Sequence, residues 1–345
     1  MTDRMDSSFD AQIERFVSSE ALSNEEAGLS ASLRPGSFAE YPGQKRAREN
    51  LQIFVSAAKI RKHVLDHVLL HGPPGLGKTT LSRIIASEMG TSFYQTSGPS
   101  IEKPGDLAGI LAGIDEGGVL FIDEIHRLSI AVEEVLYSAM EDFSMDIIVG
   151  QGPTARTVKV PVQPFTLVGA TTRTSLLSSP LRSRFGIQER LEFYSPDELK
   201  AIILRSALVE GISIDDKGAY KLAVRSRGTP RVANRLIRRV RDFADYHGRD
   251  RLDEEIVEIA LGRLDIDEMG LDRMDRNILV TMHTKYSERP VGLDTLAATI
   301  GEEKTTIEDV YEPYLLHMGL ISRGPRGREL TLSGVKVAEA STSHF

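Results

Sequence analysis

The feature that most constrains this chain is a glycine-rich loop between an apolar strand and a helix. Residues 72–79 read Gly-Pro-Pro-Gly-Leu-Gly-Lys-Thr, which satisfies the pattern G-x4-G-K-[ST]. The apolar stretch Val68–His71 precedes the loop, and a helical pattern over Thr80–Met89 follows it. Glycines let such a loop curl until its N–H groups and the helix N-terminus point at phosphate oxygens. The pattern therefore predicts a phosphate-binding loop.

This loop supplies the first candidate nucleotide-binding residues, with Lys78 expected to reach the β- and γ-phosphates and the Thr79 hydroxyl expected to ligate Mg²⁺. The full set is Gly72, Gly75, Gly77, Lys78, Thr79 and Thr80. A chance glycine-rich turn is the alternative, and the flanking strand and helix argue against it.

A second apolar run, residues 118–122, ends in the adjacent carboxylates Asp123 and Glu124. Asp123 suits Mg²⁺ coordination, either direct or through water, and Glu124 suits polarisation of the attacking water. An Asp-Glu pair alone would more often be a solvated strand end. Because Lys78 lies upstream, we interpret the pair as catalytic.

Polar residues follow a further buried run, Phe165–Ala170. Thr172 is expected to hydrogen-bond the nucleophilic water or the γ-phosphate, with a strand-end cap as the alternative. Arg182 and Arg184 come next. An arginine stabilises charge on a transferring phosphoryl group and is often supplied by a neighbouring subunit, whereas a surface ion pair would explain either arginine singly.

Arg231 follows the helix-starting sequence Gly228-Thr229-Pro230. In the first turn of a helix a cation opposes the helix dipole, so this position indicates a ligand anion such as nucleotide phosphate. The other arginines of this helical region, from Arg225 to Arg241, fit either a solvated face or a DNA-facing one.

Composition limits the classes of protein that remain. The 345 residues are 41% hydrophobic and 27% charged, which predicts two or three packed domains and excludes a disordered chain. No cysteine is present, so disulfides and thiolate metal sites are excluded. No run approaches the roughly 18 apolar residues of a membrane helix, and we expect a cytoplasmic protein. The net charge of -8 requires any DNA contact to use a local basic patch.

Pattern changes along the chain predict its organisation. The predicted segments are a mobile tail over 1–30, an α/β core with a parallel sheet over 31–194, a small helical domain over 195–266, a winged helix-turn-helix over 267–335 and a C-terminal tail over 336–345. The helix predicted at Thr305–Met318 carries or adjoins many acidic residues, which phosphates would repel. Arg323, Arg326 and Arg328 on the glycine-rich wing are the predicted DNA-binding residues.

Together these motifs resemble the AAA+ ATPase series, in its order along the chain. The matching stretches are 72–79, 123–128, 169–173, 182–186 and 227–231, while 140–156 and 292–315 closely resemble the bacterial AAA+ motors that migrate Holliday junctions. The resemblance covers about residues 31–335. It implies an AAA+ core with a helical lid and a winged-helix domain.

The resemblance also implies an activity and partners. Such a motor is a homo-hexameric ring that pumps double-stranded DNA with ATP and Mg²⁺ in recombination and repair. It works with the junction-binding protein RuvA, and the junction resolvase RuvC is a further candidate partner. The resemblance assigns Thr172 as the first sensor, Arg184 as the trans-acting finger and Arg231 as the second sensor.

The segment before the core is expected to line the adenine in this family. The residues involved are Leu33, Arg34, Tyr41 and Pro42, the last at a position where the family is expected to have isoleucine or valine.

The sequence pattern predicts a β-hairpin arm over residues 146–160, because the β-branched run at 147–149 is followed by a turn-forming sequence and a second extended run. One explanation of these apolar residues is that the hairpin packs back against the sheet of its own domain. The resemblance favours docking of the junction-binding partner, through Ile147 and Val149.

Three other functions share parts of these patterns. A clamp loader or a replication initiator would use ATP as an assembly switch, and its last domain would differ. A winged-helix regulator with a degenerate ATPase is disfavoured by the intact Lys78, Glu124 and Arg184. An unfoldase would need an aromatic and hydrophobic pore loop, and none stands out in the sequence.

Overall fold

The computed structural model describes residues 34–149, 156–287 and 289–342. The tail predicted over 1–30 and the adenine contact predicted for Leu33 lie outside the described residues, and so do the side chains of Ile147 and Val149. Within the described ranges, no helix combines the length and apolar character that crossing a bilayer requires.

The strands in the described residues form one five-stranded sheet and two hairpins. They are β1 (Val68–His71), β2 (Phe93–Ser97), β3 (Val119–Asp123), β4 (Ser144–Val149), β5 (Arg156–Pro161), β6 (Thr166–Thr171), β7 (Ile187–Arg190), β8 (Ile321–Gly324) and β9 (Gly327–Leu330). The large sheet is parallel, with the order β2-β3-β6-β1-β7. The pairs β4–β5 and β8–β9 are antiparallel.

The helices are distributed over three units. They are α1 (Lys45–Arg61), α2 (Lys78–Met89), α3 (Pro104–Ala112), α4 (Ile130–Asp142), α5 (Ser179–Ser183), α6 (Pro196–Glu210), α7 (Asp216–Val224), α8 (Pro230–Tyr246), α9 (Glu254–Arg263), α10 (Arg273–Tyr286) and α11 (Leu293–Ile300), followed by α12 and α13. Helix α12 spans 304–317 and contains a π-helical turn, Ile307–Tyr311, while α13 is Leu332–Thr342.

The sheet is covered by helices on both faces. Along β1, Leu70 packs in one core cluster with residues of α1 and α2, and Leu69 packs in a second cluster with residues of α3 and α4. Strands buried on both faces are typical of a parallel sheet, and the predicted α/β class is confirmed. Because β3, β6 and β1 are parallel neighbours, their carboxyl ends meet at one edge of the sheet.

The helical unit that follows begins where the sequence predicts a helix start. The Ser195 hydroxyl accepts the Glu198 N–H, and the Glu198 carboxylate accepts the Ser195 N–H, so the two residues form a capping box around Pro196, the first residue of the helix. Helices α6 to α9 bury their apolar faces in the cluster that also contains α1 and α2.

The last unit contains α10 to α12, the hairpin β8–β9 and α13. The tail predicted from residue 336 is wrong over 336–342, because α13 continues to Thr342 and buries Ala338 against the winged-helix core. A glycine, an alanine and a serine form the buried side of α13, and such small residues give a weak hydrophobic pattern. The predicted hairpin around 146–160 is present as β4 and β5.

Candidate nucleotide-binding and catalytic site

The phosphate-binding loop connects β1 to α2 at the shared sheet edge. Gly72, Gly75 and Gly77 have φ values of +141°, +79° and +97°, a region that side chains rarely allow. A Cβ on Gly72 would lie 2.4 Å from the carbonyl oxygen of Leu191, and a Cβ on Gly77 would lie 2.5 Å from the Tyr41 hydroxyl. Glycine is therefore required both by conformation and by space.

Lys78 begins α2 and folds back over the loop. Its Nζ donates to the carbonyl oxygens of Gly72 at 2.8 Å and Pro73 at 2.9 Å. Burial lowers the pKa of Lys78 to about 8; nearby Asp123 opposes this shift, and Arg231 adds to it. Thr79 and Thr80 follow, both half-buried, in the first turn of α2.

A cluster of cations surrounds this loop. The pKa of Arg34 is lowered by burial first and by the neighbouring charges of Arg83 and Arg231 second. Neighbouring like charges favour a bound anion, because a polyphosphate would offset their mutual repulsion. The loop and its cations therefore fit the triphosphate of a nucleotide.

Asp123 and Glu124 lie at the carboxyl end of β3, beside β6. The Asp123 Oδ1 accepts the Glu124 N–H at 2.9 Å. Glu124 has a φ of +48° and an exposed side chain, whose Oε2 lies 3.0 Å from Arg127. Of the two carboxylates, Asp123 is the one that opposes the lowered pKa of Lys78.

The described residues contain no group of three or more carboxylate or imidazole side chains that could hold a metal alone. Thr79 and Asp123 are half-buried and supply one hydroxyl and one carboxylate. Mg²⁺ is commonly bound by one or two protein ligands together with substrate phosphates and water. The donor set thus fits a magnesium ion that arrives with a nucleotide.

The end of β6 carries a contact that sequence reasoning missed. Thr171 is buried, and its Oγ1 lies 3.0 Å from His126 Nδ1 and accepts the Arg173 N–H at 2.9 Å. His126 lies in the short turn after Glu124, and burial is the main cause of its lowered pKa. Thr172 is the next residue and is half-buried. The sequence Asp-Glu-Ile-His could have drawn attention to His126.

Arg231 lies beside the phosphate-binding loop, although it belongs to the helical unit. Its N–H points at the Gly75 carbonyl oxygen at 3.4 Å, and a Cβ on Gly75 would lie 3.1 Å from the Arg231 Cβ. Thr229 caps α8 by accepting the Val232 N–H. The cap fixes Arg231 in the first turn of α8, next to the predicted phosphate site.

Tyr41 and Tyr194 form a buried pair behind the loop. Their hydroxyls are 2.8 Å apart, so one donates to the other, and both lie within hydrogen-bond distance of the Leu76 carbonyl oxygen, at 3.3 Å and 3.1 Å. Burial raises the pKa of Tyr194 to about 12 and raises that of Tyr41 well above its usual value. Sequence reasoning missed Tyr194. Pro42 is half-buried next to this pair, and its contact with adenine stays a prediction.

Arg184 lies after α5 and makes contacts within its own chain. One terminal nitrogen lies 3.1 Å from Glu141 Oε1, the other donates to the Pro180 carbonyl oxygen, and the guanidinium lies 4.6 Å from the Tyr137 ring centroid. Its buried Nε has no hydrogen-bond partner among the described residues. Arg182 is exposed. A role for Arg184 at a neighbouring site stays a prediction.

The structure of the wing, β8–β9 and the turn between them, contradicts one predicted DNA contact. Arg326 and Arg323 have exposed side chains, at 83% and 55%. Arg328 instead is buried and forms a two-nitrogen ion pair with Glu312, the shortest contact being 2.8 Å. Arg328 is therefore wrong as a phosphate contact, because its guanidinium points into the domain and not into solvent.

The fold and the site define a P-loop ATPase of the AAA+ class that carries a helical lid and a winged-helix domain. Three family profiles match in succession: the Holliday junction DNA helicase RuvB P-loop domain over residues 33–191, the RuvB AAA lid domain over 194–267 and the RuvB C-terminal winged helix domain over 268–339. The chain belongs to the RuvB family.

Curated relatives and solved structures agree with this assignment. The Holliday junction branch migration complex subunits RuvB of Lacticaseibacillus casei and Lacticaseibacillus paracasei are each 55% identical over 325 residues, covering 94% of this chain and 96% of the relative. The Thermotoga maritima RuvB Holliday junction branch migration motor is 51% identical, with a TM-score of 0.81, covering 91% of this chain and 98% of that one.

Proposed function

We propose that this protein hydrolyses ATP to drive double-stranded DNA through a ring during Holliday-junction branch migration. The observation that carries the proposal is the convergence of Lys78, Asp123 and Arg231 at the carboxyl edge of β1, β3 and β6. Relatives named as branch-migration subunits support this function over the clamp-loader or initiator alternative.

Different residues of the chain bind phosphate, hold the metal and activate the attacking water. ATP supplies the phosphoanhydride bond whose hydrolysis drives the motor, and Mg²⁺ screens its phosphate charge. Lys78 holds the β- and γ-phosphates, while Thr79 and Asp123 would hold the metal. Glu124 accepts a proton from the attacking water, and Thr172 orients that water or the γ-phosphate.

Two arginines complete the proposed site from outside the core sheet. Arg231 contacts phosphate from the lid, so lid position depends on the bound nucleotide. Arg184 of one subunit stabilises charge on the phosphoryl group bound by its neighbour in a homo-hexamer. This arrangement makes hydrolysis depend on ring assembly.

The proposal includes partners and location. Arg323 and Arg326 bind DNA phosphates without reading sequence, because both lie on the exposed wing. The hairpin β4–β5 docks RuvA at the junction, and RuvC is a further candidate partner of the complex. We place the complex in the cytoplasm, where a bacterial chromosome provides its DNA substrate.

The experiment that tests the function measures ATP hydrolysis with no DNA, linear duplex or a four-way junction, each with and without RuvA. Strand products of junction migration are followed in the same reactions. We expect migration only when ATP, the junction and RuvA are combined. An assembly switch would bind DNA in an ATP-dependent way and leave the junction in place, which would contradict the proposal.

A further inference from the structure

Arg173 is an arginine of the ATPase core that contacts the winged-helix domain. Its Nε and one terminal nitrogen donate to Asp309 Oδ1 at 3.0 Å and 2.7 Å, and the same terminal nitrogen lies 3.1 Å from Glu308 Oε2. The Arg173 and Glu308 side chains are only 26% and 20% exposed. Asp309 is 40% exposed, and the partial burial of Arg173 and Glu308 reduces solvent screening of the contact.

The Arg173 backbone is tied to the catalytic edge of the sheet. Its N–H donates to Thr171 Oγ1, which lies 3.0 Å from His126 Nδ1 in the turn after Glu124. Thr172, the proposed sensor, lies between the two bonded residues. These contacts link Arg173 to its neighbour Thr172 and, through Thr171 and His126, to the turn that follows Glu124.

Glu308, one of the two acidic partners of Arg173, is shared with the wing. Glu308 Oε1 lies 3.5 Å from Arg323, which also lies 3.7 Å from Glu312. When a DNA phosphate binds Arg323, Glu308 loses a competing cation. This loss strengthens the attraction of Glu308 for Arg173.

The acidic pair also lies in an unusual backbone element. Glu308 and Asp309 belong to the π-helical turn Ile307–Tyr311 within α12. Such turns are rare and are found mostly at functional sites, because the added residue costs regular helical hydrogen bonding. Here the turn presents two adjacent carboxylates to one guanidinium of another domain.

We propose that Arg173 is a positioning residue that couples the ATP site to duplex DNA. DNA phosphate at Arg323 tightens the ion pair of Arg173 with Asp309 and Glu308, and the tightened pair holds Thr172 and the Glu124 turn in the arrangement for hydrolysis. The inference rests on the proposed function, because it requires that the wing bind duplex DNA.

The test compares Asp309→Asn with wild type in the full-length protein, by steady-state ATPase kinetics with no DNA and with saturating linear duplex. We expect basal kcat to stay within about twofold and kcat with DNA to fall at least about fivefold. KM for ATP should not change, because Asp309 contacts no nucleotide-binding residue. Asp309→Glu, which keeps the charge, should retain most of the stimulation.

The matched control is Asp294→Asn, which removes an exposed carboxylate paired with Lys304 at 2.8 Å inside the same domain. Duplex DNA should stimulate ATP hydrolysis by this variant as much as it stimulates hydrolysis by wild type. If Asp309→Asn fails to fold, Glu308→Gln takes its place in the ATPase comparison, because it removes the other carboxylate of the acidic pair. Full stimulation in the folded variant, or equal loss in Asp309→Glu, would overturn the coupling role.

Failure of the proposed function gives a different result. Suppose that, with RuvA present, the wild-type protein does not drive junction migration and its ATP hydrolysis is not stimulated by DNA. The motor assignment is then wrong, and the coupling inference is wrong with it. If wild type is stimulated and Asp309→Asn is stimulated equally, the motor assignment stands and only the role of Arg173 is wrong.

Discussion

Lys78 shows how burial sets the chemistry of a single side chain. Its pKa of about 8 means that it loses its charge as the pH rises through that value, while bound phosphate would keep it protonated. Nucleotide affinity should therefore fall by about eightfold between about pH 7.5 and pH 9. Titration of a fluorescent ATP analogue in the absence of metal measures this directly.

The control for that titration is Lys78→Arg. Arginine stays protonated over the whole range, so its affinity should be flat with pH even if it is weaker at every point. If nucleotide affinity fell equally with pH in both proteins, a group other than Lys78 would cause the pH dependence.

Glu124 and Lys78 should separate catalysis from binding. Lys78→Ala removes contacts made with bound phosphate, so it should abolish tight ATP binding. Glu124→Gln removes only the base, so it should bind ATP and lose turnover. Equilibrium binding and ATPase assays on both variants check the assignment. Near wild-type hydrolysis by Glu124→Gln would refute it.

The site residues predicted from sequence are those whose proposed role follows from local pattern. The loop 72–79, Asp123 and Arg231 each lie next to a strand end or a helix start, so spacing alone placed them. Tyr194 was missed because its partners, Tyr41 and the Leu76 carbonyl, are distant in sequence. No local period reports such a contact.

The wing is the element in which pattern and structure diverge most. Arg326 and Arg328 are two residues apart on the same glycine-rich wing, yet one is 83% exposed and the other is buried against Glu312. The contact with α12 decides this, because Arg328 lies in β9 and pairs with Glu312 at 2.8 Å, whereas Arg326 lies in the turn between β8 and β9. The short strands and the helix at Thr305–Met318 were predicted, but the ion pair between Arg328 and Glu312 of that helix was not.

This difference predicts opposite effects for two similar variants. Arg328→Ala should destabilise the winged-helix domain by about 3 kcal/mol, because it leaves the buried Glu312 without its main partner. Arg326→Ala should leave stability within about 0.5 kcal/mol and weaken all duplexes alike. Hydrogen exchange in α10 and α12, together with DNA titrations at several salt concentrations, distinguishes them. Equal loss of stability in both would be inconsistent with the structure.

The hairpin β4–β5 is the element proposed to dock RuvA. Its strands pair with each other and join neither the five-stranded sheet nor the wing. Changing Ile147 and Val149 to serine should abolish RuvA binding and RuvA-stimulated migration while sparing basal ATPase. Binding is measured by co-sedimentation or calorimetry. A markedly lower melting temperature would show that these residues belong to a core.

At the scale of the whole molecule, the lid connects the nucleotide loop to the winged-helix domain. Arg231 of the lid approaches Gly75. Nearby, Arg227 forms ion pairs with Asp275 at 2.9 Å and Asp272 at 3.3 Å, and its guanidinium lies 4.9 Å from the Tyr314 ring centroid. Because Arg227 is buried among these partners, we expect the lid and the winged-helix domain to move together. The sequence identified Arg227 only as part of a motif.

Ring assembly is tested by mixing two inactive proteins. Arg184→Ala should bind nucleotide nearly normally and lose about 10³–10⁵ in hydrolysis rate, because the finger acts only in the transition state. Glu124→Gln retains its finger and lacks the base. In mixed rings, some interfaces pair an intact Arg184 with an intact Glu124, so activity should recover.

The recovery should follow the statistics of mixing, with a maximum near equal proportions of the two proteins. A matched control mixes Arg184→Ala with the double variant Arg184→Ala, Glu124→Gln, which supplies no finger and should stay inactive. Native mass spectrometry establishes that mixed rings form. If they form and hydrolysis does not return, Arg184 acts within its own subunit, where its contacts with Glu141 and Tyr137 would then be functional.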